Sequence, residues 1–218
     1  MITVAPGVSP AGGYTPLSDF DTLPLEDVVD DGIIHFTSTV EFVYAGETWN
    51  EISFATNGFL VVGGTGDGAA VNQNFPDTTA PNNVLAPFWA DLALGELRLE
   101  ILTDDVNSWL VFEWIMNGGA YAFQAWIGID GVEDISFVYD PSKDWSSLPA
   151  LLTIGAEDKT GLYGDTYYYN GVGGEIVDLR VITRDFAPEP VPEPATLLML
   201  GAGLCGLAMT ARRRSRPR

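Results

Sequence analysis

The chain has 218 residues, one histidine, one cysteine and a formal charge of −20, from thirty acidic and ten basic residues. A single Cys205 excludes an internal disulfide framework and any Cys-x-x-Cys metal or redox site. Five of the ten basic residues lie within 212–218 and no acid follows Glu193, so residues 1–194 carry five basic against thirty acidic groups. The resulting formal −25 repels a phosphate backbone and sets nucleic acid aside as a partner.

Residues 1–30 are rich in Pro and Gly and show neither the basic start nor the apolar run of a signal peptide; they read as a leader. From 34 to 44 the residues alternate. Ile34, Phe36, Val40, Phe42 and Tyr44 share one face while His35, Thr37, Thr39 and Glu41 share the other, the pattern of a half-buried strand. Residues 52–64 hold two apolar runs around Asn57-Gly58, a strong hairpin signal. Between 72 and 92, Pro76, Pro81 and Pro87 argue against a central strand. That stretch reads as an ordered loop that crosses one end of the fold and plants Leu85, Phe88 and Trp89 in the core. Alternation resumes at 97–102, with Leu97, Leu99 and Ile101 inward. It continues through 108–116, 121–129, 134–140, 151–157, 165–170 and 175–182, each bounded by Gly, Asn, Asp or Pro. About nine or ten short strands predict an all-β fold, an antiparallel β-sandwich over 31–184.

Residues 185–194 form a Pro/Glu linker, and 195–211 carry no charge. As a helix those residues would rise about 26 Å, the short end of a bilayer span. Gly201, Gly203 and Gly206 suit a transmembrane helix better than a soluble one. Arg212, Arg213 and Arg214 then act as a membrane stop, which places the C-terminus in the cytoplasm and 1–190 outside. One C-terminal transmembrane helix with an Arg-rich tail is therefore expected over 195–218. The order Val191, Pro192, Glu193, Pro194, Ala-Thr, Leu/Gly-rich helix and arginines resembles the bacterial PEP-CTERM sorting signal, known also as the ice-binding protein C-terminal motif, over 191–216. That resemblance implies an exosortase, a membrane transpeptidase, as partner. It would cut near the triplet and pass the protein from the inner membrane to the cell surface or the medium of a bacterium that makes extracellular polysaccharide or biofilm. The two prolines keep the site extended and open to such an enzyme. The body has no short regular Thr-rich repeat of the kind an ice-binding surface would need.

The body carries a second resemblance. The runs "SFATNGFLVVGG", "NQNFPDTTAPNNVLAPFWADL", "WLVFEWIMN", "FQAWIGIDGVEDISFVYD" and "IGAEDKTGLYGDTYYYNG" resemble, over residues 12–172, a β-sandwich module appended to bacterial extracellular subtilisin-like proteases. More loosely, they are similar to nidogen-type extracellular domains. The implied role is accessory: binding, spacing or adhesion outside the cell.

No catalytic constellation accompanies these features. His35 sits mid-strand opposite the apolar stripe and reads as a solvated residue. Cys205 lies in the apolar tail segment and reads as a small helix residue, so neither a Cys-His pair nor a zinc site is expected. The neighbours Asp30-Asp31, Asp104-Asp105 and Glu133-Asp134 would point to opposite faces in strands, a poor start for a glycosidase pair. Calcium is the one ion with suitable oxygen-rich turns, at 64–68 and 140–144, with no location assigned. Trp89 and Trp114 fall in apolar runs and belong in the core, whereas Trp109, Trp126, Trp145 and Tyr168 have outward or loop positions and are candidates for stacking on a saccharide. The expectation is a non-enzymatic, exported cell-surface or matrix protein, structural or adhesive. Alternatives are the accessory end of a secreted subtilisin-like protease, or a carbohydrate-binding module.

Overall fold

In a strand, successive side chains point to opposite faces, and this period of two organises the protein into two sheets with one shared core. The computed structural model describes residues 1–183, apart from 65, 130 and 132. The chain divides into two units, Met1–Asp185 and Phe186–Arg218. The second lies outside the described residues, and with it the sorting triplet, the transmembrane helix and the arginine stop expected from the sequence. Among the described residues no helix is long and apolar enough to cross a membrane.

Thirteen strands are present among the described residues. They are β1 (Ile2–Pro6), β2 (Ile33–Tyr44), β3 (Glu47–Ala55), β4 (Phe59–Val62), β5 (Val84–Trp89), β6 (Glu96–Thr103) and β7 (Ser108–Met116), then β8 (Tyr121–Gly128), β9 (Ile135–Tyr139), β10 (Thr153–Glu157), β11 (Gly164–Tyr169), β12 (Val172–Gly173) and β13 (Leu179–Thr183). One sheet has the order β1-β13-β9-β8-β7-β6 and the other β12-β11-β10-β5-β4-β3-β2, with every ladder antiparallel. The antiparallel sandwich is as expected. The strands the sequence did not reveal are β1, β5 and β12.

Between the sheets, Phe54, Leu60, Leu85 and Phe88 meet Phe112, Trp114, Phe123 and Phe137. The rings interlock: Phe54 stands edge-on to Trp114 at 4.6 Å and Trp114 stacks on Phe123 at 5.1 Å. Each such side chain contributes about 1.5–3 kcal/mol by leaving water. Trp114 also satisfies its polar edge, because its Nε1–H donates to Ala55 O at 2.8 Å.

β5 corrects the loop expectation for 72–92. It runs between β4 and β10, through Leu60↔Leu85 on one side and Ala156↔Leu85 on the other. Pro87 is tolerated because the ladder is already broken there. Trp89 pairs with Thr153 and Ala86 with Gly155, so Pro87 and Phe88 together oppose Ile154 in a bulge where no N–H of residue 87 is required. Leu85, Phe88 and Trp89 are fully buried, as expected.

The Asn57-Gly58 hairpin forms, with Ala55 opposite Phe59. Gly58 has φ +79°, and a Cβ there would lie 2.0 Å from Phe88 O, so both its conformation and its contact require glycine. Beside it, buried Asn57 ties three segments together. Its Nδ2 donates to Asp31 Oδ1 at 2.8 Å and Gly68 O at 2.7 Å, and its Oδ1 accepts from Leu92 N at 3.0 Å.

The stretch expected as a leader contributes to the sandwich at both of its ends. β1 pairs with β13, buries Ile2 and Val4, and reaches the other sheet where Val4 N donates to Asp165 Oδ2 at 2.7 Å. Farther along, Leu25 N donates to Leu97 O at 2.8 Å and Thr22 Oγ1 to Glu100 Oε2 at 3.1 Å, which shields the β6 edge.

Each sheet also has a covered outer face. Over the seven-stranded sheet, Phe75 packs on Phe59, Val61, Val84 and Trp89, and Trp89 Nε1 donates to Ala69 O at 2.8 Å. Over the six-stranded sheet, Leu17 and Tyr14 pack on Trp109, Val111, Trp126 and Val138.

Candidate functional site

An apolar groove lies on the outer face of the six-stranded sheet, where strand period and an N-terminal cover combine. Alternation in β7 sends Trp109, Val111 and Glu113 outward, away from the core residues Leu110, Phe112 and Trp114. β8 adds Gln124 and Trp126 to the same face. Residues 10–20 cross over this surface and leave a groove of about 300 Å³ whose walls include Pro10, Phe20, Ile101 and Asp104 and whose floor is Trp109 and Trp126.

The outward placement of Trp109 and Trp126 is correct, but their exposure is not. They are only 6% and 2% exposed because the N-terminal cover lies on them. Their ring centres are 6.0 Å apart with planes inclined at 62°. Both indole N–H groups are committed inside the protein, Trp109 to Asp134 Oδ2 at 3.1 Å and Trp126 to Gln124 Oε1 at 2.9 Å. Trp145 lies elsewhere, half-buried against Phe88, Tyr121 and Tyr139, with its N–H on Asp140 O at 2.9 Å. Tyr168 is in the other sheet, opposite Ile154, and packs toward the core. The four aromatics form no flat strip: Trp109 and Trp126 floor a covered groove, and Trp145 and Tyr168 pack toward the core.

The sequence reading missed the polar fastening beneath that cover. Glu113 is fully buried, and its Oε1 accepts from Tyr14 O–H at 2.7 Å, Gln124 Nε2 at 3.0 Å and Leu17 N at 3.2 Å. Gln124 Nε2 also donates to Thr15 O at 2.6 Å. Arg98 Nε lies 3.8 Å from Glu113 Oε2. Burial raises the Glu113 pKa, against the pull of the Tyr14, Leu17 and Gln124 hydrogen bonds and the Arg98 charge. Burial, reinforced by the Glu113 charge, likewise pushes the Tyr14 phenol well above its ordinary range. The signal was available: Glu113 is the lone charge in a nine-residue strand whose other residues, Ser108 apart, are apolar.

A second buried acid lies under the other cover. Glu157 Oε2 accepts from Asp77 N at 2.9 Å, while Oε1 has no partner among the described residues. Burial, with the charges of Asp77 and Asp158 added, pushes its pKa up to about 8 against that one hydrogen bond.

The other sequence candidates are separated in space. His35 is exposed and bonds Ser53 Oγ through Nδ1 at 2.6 Å. Glu133 Oε1 accepts from Ala45 N at 2.9 Å, while its neighbour Asp134 serves Trp109 and pairs with Arg180. Asp104 Oδ1 caps the β6–β7 turn through Val106 N and Asn107 N, which lowers its pKa. Asp140 and Asp144 cap Ser142 N and Ser146 N, each at 2.9 Å. Among the described residues no three His, Cys, Asp or Glu side chains converge where a metal ion could sit.

A family model described as NIDO related matches residues 8–172, and the PEP-CTERM protein-sorting motif matches residues 190–214. Neither family is catalytic, and the sorting motif implies export, cell-surface sorting and processing by an exosortase-type membrane enzyme. No curated protein and no solved structure matches the chain.

Proposed function

The chain belongs to the NIDO-related family, and from that membership and its sorting motif we propose a non-enzymatic, exosortase-sorted protein that serves a structural or adhesive role at the bacterial surface or in the surrounding matrix. The observation that carries this reading is the succession, in one chain, of a NIDO-related body at 8–172 and a PEP-CTERM motif at 190–214. In this reading residues 195–211 hold the protein in the inner membrane, Arg212, Arg213 and Arg214 stop translocation, and the Pro192-Glu193-Pro194 stretch presents the processing site. The body suits an extracellular scaffold. Its strongly acidic composition favours solubility, and segments packed over the outer faces of both sheets bury Trp89, Trp109 and Trp126.

The test is expression of the full chain, with a signal peptide supplied, in hosts with and without exosortase, followed by intact mass and fractionation. Loss of the tail near residues 192–194 only in the exosortase host is the expected result. An intact, membrane-held chain in both hosts would overturn the sorting half of the proposal.

A further inference from the structure

Backbone groups along a sheet edge lack a partner strand, so an edge is kept short, covered or paired. Three of the four edges in this sandwich are dealt with inside the chain. β12 has two residues, β1 has five and ties itself to the other sheet through Asp165, and β6 lies under residues 22–25. The fourth edge, β2, runs for twelve residues with β3 as its one neighbour. Among the described residues, only β3 hydrogen-bonds the backbone of residues 33–43, apart from Val40 N donating to Ser38 Oγ within the strand.

The direction of the free groups follows from the register. Thr56 N donates to Gly32 O at 2.9 Å, one step beyond the Ile33↔Ala55 pair, so Ile34 and Phe36 are the positions bonded toward β3. The N–H and C=O of Ile33, His35 and Thr37 therefore face away from the sheet. Glu51, opposite Thr37, agrees: its O accepts from Gly63 N at 2.8 Å on the β4 side. Between Thr37 and Phe42 the register with β3 shifts, and this bulge limits the straight open edge to residues 33–37. His35 and Thr37 are exposed there, while Ile34 and Phe36 pack on the core yet remain only partly buried. No charged guard protects the stretch. From Gly32 to Val40 there is no Asp, Glu, Lys or Arg, in a body that is otherwise strongly acidic.

We propose that two copies of the chain pair antiparallel through this edge, with the two-fold axis at His35. Only that register sets outward groups against outward groups along the whole stretch, Ile33 opposite Thr37 and His35 opposite the His35 of the second copy. It also lays Ile34 of each copy beside Phe36 of the other, so the apolar side chains that the open edge leaves half-covered cover one another. A stretch free of carboxylates is what two acidic bodies need in order to approach. The contact is the same patch on both copies and closes on itself, which gives a dimer and not a fibre. Its small extent makes the association weak and transient. This gives the adhesive reading above a homophilic partner, and rests on that reading for its biological setting.

The test is disulfide capture with the full chain in detergent. In a bonded antiparallel pair the Cα atoms lie about 5.5 Å apart, within the range that a disulfide spans. Under mild oxidation, His35→Cys in a Cys205→Ala background should give about tenfold more linked dimer than Thr48→Cys, an exposed position on the neighbouring strand, in the same background. Adding Thr37→Pro should remove that excess. Residue 37 does not use its N–H toward β3, so proline is tolerated within the protein while the outward donor is lost. Residues 184–218 are common to every variant, so association through them raises all yields equally. The excess should grow with salt, which screens the repulsion between acidic bodies. If Thr37→Pro does not fold, the contrast between His35→Cys and Thr48→Cys still decides. Equal yields from the two cysteines, as expected if the edge is reserved for an extended segment of a different protein, would overturn the pairing, and so would an excess that survives in folded Thr37→Pro. Exosortase processing is read separately in cells, so either result can fail without the other.

Discussion

Both sheets hide one carboxylic acid beneath the segment that covers their outer face, yet the two acids are handled differently. Glu113 meets a phenol, a backbone N–H and an amide, with Arg98 close to its other oxygen. Glu157 meets one backbone N–H, and its charged neighbours Asp77 and Asp158 are acids. Desolvation disfavours both carboxylates, but only Glu113 is given enough donors to offset much of that cost. One acid fastens its cover; the other is accommodated mainly by keeping its proton.

Removing the fastener should have the largest effect. Glu113→Ala strips an acceptor from three donors and should destabilise the domain by about 3 kcal/mol, read as a lower denaturant midpoint and faster proteolysis within 9–20. Glu113→Gln, which retains one oxygen, should lose less. A cost for Glu113→Ala below about 1 kcal/mol would mean that the apolar contacts of Leu17 alone hold the cover.

Glu157→Gln should act in the opposite direction. The folded chain releases this proton near pH 8 and the unfolded chain near its ordinary value of 4.5, so the folded state binds more protons between those limits. Stability contributed by this group therefore falls as pH rises from 4.5 to about 8, and the full cost is present above that. The variant should match the wild type near pH 4 and be the more stable protein at pH 8, with the difference in unfolding free energy widening across that window. A constant difference would show that Glu157 is not the titrating group.

The smallest effect separates the donors at Glu113. Tyr14→Phe removes one of them and leaves the ring in place, and should cost about 1 kcal/mol by thermal or denaturant unfolding. A loss equal to that of Glu113→Ala would make the phenol the whole fastener.

Periodicity made most strands legible, because a two-residue alternation is written directly in segments such as Ile34–Tyr44 and Leu97–Leu102. It failed where a strand is short or its rule is locally broken. β12 has two residues, β1 is five residues beside a Pro/Gly-rich stretch, and β5 contains Pro87, whose missing N–H is excused by a bulge that only its pairing with β10 reveals. The aromatics failed for a different reason. Alternation does put Trp109 and Trp126 on the outer face, but whether that face is wet depends on residues 14–17, which are remote in sequence and reach it through contacts that local pattern does not encode.

The pairing of β1 with β13 sets Ile2 beside Thr183, so the polypeptide enters and leaves the domain at one corner. A pull applied between those two residues loads the five ladder pairs in turn, beginning at Ile2 and Thr183, instead of shearing them all at once. The domain opens there like a zip. Under tension it would give way first along its margin, leaving the aromatic interior closed.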